Sequence, residues 1–99
     1  MGKLVRDKIP EIIKESGKYP ITRTLSEEEY LIELDKKLSE EVAEYQADKS
    51  MEEIADIMEV IFAICKARNY SQEQISNIKR EKREKRGGFE KRIFWDGNE

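Results

Sequence analysis

The 99-residue chain has no histidine, one cysteine (Cys65), two prolines and one tryptophan. Without histidine there is no Ser-His-Asp triad, no Cys-His pair, no His-ligated metal and no imidazole acid or base. A lone cysteine excludes an internal disulfide and a multi-cysteine zinc knuckle. No apolar run approaches the roughly 20 residues of a membrane span, so no membrane partner is expected. The opening MGKLVRDKIPEII lacks the continuous apolar core of a secretory signal, and a reduced, cytoplasmic setting is the expectation. Chemistry, if there is any, falls to carboxylates, Lys, Arg, Tyr or a metal held by oxygen.

What is abundant is charge. Charged residues make up 41% of the chain, the net charge is −3 and the pI is about 5.2. A net negative domain of this kind argues against general nucleic-acid binding. The charge is also sorted. Ser26 to Glu59 carries 13 acids against 3 lysines, and Lys79 to Arg92 carries 8 bases against 3 glutamates. The two stretches either pair with each other or jointly hold something bearing both phosphate and metal. The length fits a single domain over residues 1–99. A domain this small buries only about 60–65% of the surface its unfolded chain exposes, so self-association is expected to supply further core.

The pattern predicts an all-α fold, a compact helical bundle of three main helices with a short N-terminal helix and an extended C-terminal tail. Pro10 suits the first turn of a short helix that runs to about Ser16 and ends at Gly17. Ser26 and Glu29 have capping-box spacing, and Leu31, Leu34, Leu38, Val42 and Tyr45 recur at three- and four-residue intervals up to about Asp48. Ser50 and Glu53 repeat the box. There Ile54, Ile57, Met58, Ile61 and Cys65 form a stripe that Val60, Phe62 and Ile64 widen, so the later half should be buried nearly all round. Ser71 and Gln74 open a third helix through Ile75 and Ile78 into KREKREKR, stopping at Gly87-Gly88. The tail, with Phe89, Ile93, Phe94 and Trp95, is expected to lie extended on the helices.

Glu41 and Glu44 sit three apart late in one helix, and Glu53 and Asp56 three apart early in the next. Residues at that spacing share a helical face. In an antiparallel hairpin both pairs fall near the turn, where four carboxylates converge on one small volume. Such charges repel in a low dielectric, and a divalent cation relieves them. All-oxygen donors select Mg²⁺ or Mn²⁺ over zinc. Plainer explanations compete: solvated helix faces, a capping role for Glu53, and a pairing of Glu41 with Lys37 four residues earlier.

Glu41-x-x-Glu44 followed by Glu53-x-x-Asp56 resembles the ExxE…ExxD signature of the all-α nucleoside triphosphate pyrophosphohydrolases. These include MazG, the dimeric dUTPases and the phosphoribosyl-ATP pyrophosphohydrolases. KLSEEVAEY and EEIADIMEV are similar to MazG-type helices. KLVRDKIPEII and KRGGFEKRIF resemble a small phosphoribosyl-ATP pyrophosphohydrolase-like subgroup. The resemblance implies a homodimer or higher homo-oligomer and Mg²⁺-dependent cleavage of a nucleotide between its α and β phosphates. It implies Glu41, Glu44, Glu53 and Asp56 as metal ligands, with either Glu41 or Glu44 orienting the attacking water. Phosphoanhydride hydrolysis suits a histidine-free chain, because it needs charge neutralisation and an in-line water more than a covalent nucleophile.

Lys82, Lys85 and Arg86, ahead of Gly87-Gly88, are candidates for phosphate contacts, Arg86 through its bidentate fork. A solvated, dipole-complementing helix end explains them equally. Lys3, Arg6 and Lys8 lie in the family-like opening string, which points to a role at the site; a charged, mobile start is the plain alternative. Tyr30, Tyr45, Phe89 and Trp95 are candidates for stacking on a base, or ordinary core. The rival to an enzyme is a non-catalytic helical interaction module or nucleotide-sensing regulator on the same fold.

Overall fold

The computed structural model describes residues 2–99. All regular structure among them is helical: α1 (Ile9–Glu15), α2 (Glu27–Asp48), α3 (Met51–Ala67) and α4 (Gln72–Arg86). The all-α expectation holds. The chain divides into two compact units, one ending at Asn69 and the other spanning Tyr70–Glu99. No helix among the described residues is long and apolar enough to cross a membrane.

In the first unit, α1 takes Pro10 in its first turn, and Gly17 leaves the helix at φ 91°, a conformation open to glycine. At the start of α2, the Ser26 hydroxyl accepts from the Glu29 N–H, and the Glu29 carboxylate accepts from the Ser26 N–H, both at 3.2 Å. This reciprocal box fixes the first turn. Lys49, left-handed at φ 58°, closes α2 by donating its N–H to the Tyr45 carbonyl at 2.7 Å. With Ser50 it forms a two-residue link, so α2 and α3 pack as an antiparallel hairpin. The cross-helix ion pair of Asp35 with Arg68 at 3.8 Å, far from the turn, shows that order.

The buried apolar side chains of this unit are Leu34 (2% exposed), Val60 and Cys65, with Leu31, Leu38, Val42, Tyr45, Ile57 and Ile64 half-buried. Full burial of one such side chain stabilises the hairpin by about 2 kcal/mol. The expected α3 stripe is corrected here. Of the α3 apolar residues, Val60 and Cys65 are buried and Ile57 and Ile64 half-buried, while Ile54, Met58, Ile61 and Phe62 stay exposed, Met58 at 64%. One partner helix covers one face, and α3 is apolar around most of its circumference.

In the second unit, Ser71 caps α4 by accepting from the Gln74 N–H at 3.0 Å, and Gly87 ends it at φ 82°. The Arg83 guanidinium holds the following loop through Glu90 at 2.7 Å and keeps the Glu90 carboxyl below its ordinary value. Residues 92–99 carry no regular structure. Phe89, Ile93, Phe94 and Trp95 are exposed, so the tail, expected to lie extended on the helices, keeps its large apolar side chains in solvent.

Candidate metal centre

The hairpin turn places the acids. Glu41 leaves α2 two turns before its end, and Glu53 and Asp56 leave the first two turns of α3. One carboxylate oxygen from each lies within 4.8 Å of the others. Glu41 is buried, at 6% exposure, among residues that pack the hairpin, whereas Glu53 and Asp56 are half-buried. The Oε2 atoms of Glu41 and Glu53 are both buried and find no hydrogen-bond partner among the described residues. A buried carboxylate oxygen left in that condition carries an uncompensated desolvation cost.

Electrostatics around the trio follow from this geometry. Burial pushes the Glu41 carboxyl above its ordinary value; the charges of Glu44 and Asp56 add to that, and Lys37 pulls it back. Burial raises Glu53 too, and Glu44, Asp56 and Glu41 push it further the same way. The neighbours are therefore mutually repelling anions. Two cations offset part of this. Lys37 Nζ lies 3.4 Å from Glu41 Oε1, and Arg6 Nη2 donates to Asp56 Oδ1 at 2.8 Å.

The expected capping box at Ser50 and Glu53 does not form. Ser50 has N-cap backbone angles but makes no side-chain cap hydrogen bond, and its Oγ finds no partner among the described residues. The Glu53 carboxylate is turned into the trio instead. That removes the capping explanation for Glu53. The pairing of Glu41 with Lys37 does occur, and it leaves Glu41 Oε2 free of it.

Of the expected ligands, Glu41, Glu53 and Asp56 come together. Glu44 is exposed and is not among the acids whose oxygens all lie within 4.8 Å of one another, but its side chain is within hydrogen-bond reach of Glu53 and its charge acts on both Glu41 and Glu53. Of the expected basic residues, Arg6 reaches Asp56, and Lys3 reaches Glu40 on α2 at 3.2 Å, lowering the Glu40 carboxyl. Lys8 is the exposed N-cap of α1. Lys82, Lys85 and Arg86 are exposed along α4 in the second unit, Lys85 and Arg86 in its last turn, where cations complement the helix dipole. Of the aromatic candidates, Tyr30 and Tyr45 are half-buried in the first unit. Glu40 escaped the sequence reading; its only signal is its position three residues after Lys37, with which it pairs at 3.5 Å.

The donor set fits a hard divalent cation. The donors are all carboxylate oxygens, the type that hard divalent cations take, and one from each residue lies within 4.8 Å of the others. The unpartnered Oε2 atoms are the groups a cation would satisfy.

No family model matches the chain, and no solved structure matches it. A curated protein of Mycolicibacterium smegmatis, described as an uncharacterized protein, is 60% identical over 47 residues, which is 48% of this chain and 48% of that protein. The chain thus spans about half the length of the curated relative it matches.

Proposed function

We propose that the chain hydrolyses a nucleoside triphosphate, or a related nucleotide, between the α and β phosphates, giving a monophosphate and pyrophosphate, with Mg²⁺ or Mn²⁺ as cofactor. The observation that carries this reading is the convergence of Glu41, Glu53 and Asp56 from two packed helices, with buried oxygens of Glu41 and Glu53 left unpartnered. The resemblance of the two motifs to the all-α pyrophosphohydrolases supplies the reaction. When bound, the divalent ion neutralises phosphate charge and polarises water.

Glu41, Glu53 and Asp56 would hold the ion. Glu44 is the better choice for orienting the attacking water, because it is exposed beside the trio while Glu41 is buried within it. Lys3 and Arg6, already drawn to the acids of α2 and α3, would meet substrate phosphates. Lys8, exposed at the start of α1 in the same unit, is a further phosphate contact in this reading. The exposed Ile54–Met58–Ile61 face of α3 supports a homodimer, and the free, buried Cys65 fits a reducing cytoplasm.

The test is pyrophosphate release from a panel of nucleoside triphosphates with Mg²⁺. Glu41→Gln and Asp56→Asn should each abolish release while the far-UV helical signal persists. Full activity in both variants would refute the ligand assignment. The exposed α3 face also favours a second reading, a helical interaction module or nucleotide sensor. Tight Mg²⁺-dependent nucleotide binding without turnover would select it.

A further inference from the structure

Three carboxylates at one point face two internal cations that differ in how they are tethered. Lys37 sits on α2 itself, four residues before Glu41, and also lies 3.5 Å from Glu40. It stays with that helix whatever else binds. Arg6 comes from the non-helical segment ahead of α1 and crosses 50 residues of sequence to reach Asp56 at 2.8 Å. Its side chain is 57% exposed and that of Asp56 38%. Ion pairs this open to water are weak and exchange readily. The guanidinium also covers only one of the three acids, since Glu41 Oε2 and Glu53 Oε2 stay unpartnered among the described residues.

We propose that Arg6 is an exchangeable latch: it and a divalent cation are alternative counter-charges for Asp56, so that loading the acidic trio with metal releases Arg6 and frees the N-terminal segment from α3. This rests on the reading of the trio as a cation site. A single positive charge on Asp56 lowers the repulsion among the acids but leaves two buried oxygens unsatisfied. A divalent ion reaches all three carboxylates, and at that range it repels the guanidinium. The outcome of binding is a change in where Arg6 is held, and its free guanidinium suits phosphate oxygens.

The experiment is calorimetric titration of Mg²⁺ and Mn²⁺ into the full chain, Arg6→Ala and Arg23→Ala. Arg23 pairs with Glu29 at 3.2 Å, away from the trio, and controls for the loss of one positive charge. Competition predicts about threefold to fivefold tighter metal binding in Arg6→Ala and no change in Arg23→Ala, the size expected when a surface ion pair no longer competes. Unchanged or weaker binding in Arg6→Ala, or equal tightening in both variants, overturns the latch. A second readout is the Nε–Hε NMR signal of Arg6, which should sharpen as the side chain gains freedom on adding Mg²⁺; a signal that stays put overturns release. Absence of metal binding by every protein in the series would instead strike the cation-site reading itself, so the two failures are told apart.

Discussion

Glu41 shows how one side chain can oppose the stability of its own fold. Its carboxylate is buried, repelled by Glu44 and Asp56, and only partly offset by Lys37. Glu41→Gln should therefore raise the melting temperature measured without divalent ions and, on the proposed function, eliminate pyrophosphate release, the trade between stability and activity expected of a binding site. A lower melting point would mean that the Lys37 pair outweighs the burial. The raised carboxyls of Glu41 and Glu53 also set a pH dependence. Between the ordinary carboxyl value and the raised one, the folded chain holds more protons than the unfolded chain. Their contribution to stability is thus full below the ordinary value and is lost as pH rises through the raised one. On the proposed reading of the trio as a cation site, Mg²⁺ needs both groups ionised, so its thermal stabilisation should be large at neutral pH and fade as pH falls through that same window. Melting curves with and without Mg²⁺ across the acidic range check this.

Helix starts and stops were largely legible at the level of the element, because caps are local chemistry. Ser26 with Glu29, Ser71 with Gln74, and Gly17 and Gly87 all sit where the spacing put them. Ser50 is the informative exception. The same S-x-x-E spacing that closes a box at Ser26 leaves Ser50 without a side-chain cap bond, while the Glu53 carboxylate lies with Glu41 and Asp56. Ser26→Ala should cost about 1 kcal/mol of stability, and Ser50→Ala close to nothing, since its Oγ makes no bond to lose. Equal losses in chemical denaturation would contradict that difference. Leu34→Ala, at the most buried position of the hairpin core, should cost about 3 kcal/mol.

For the whole molecule, the open question is what covers α3. Ile54, Met58, Ile61 and Phe62 remain exposed on a helix whose other face already packs on α2. If a second copy covers them, Met58→Glu should turn a dimer into a monomer in light scattering after size exclusion, with helicity retained. A wild-type chain that is already monomeric at micromolar concentration would remove the homodimer from the proposal. The sequence by itself determined the all-α class, the helix boundaries and the candidacy of Glu41, Glu53 and Asp56, because periodicity, caps and i,i+3 spacing act within a few residues. Only the tertiary structure decided that Glu41, Glu53 and Asp56 form the tight set while Glu44 stays exposed beside Glu53, that Ser50 makes no cap bond, that Arg6 reaches Asp56, and that α3 buries Val60 and leaves Ile54 and Ile61 exposed. Those outcomes depend on the rotation of one helix against another and on contacts between residues up to 50 apart, which no local spacing encodes.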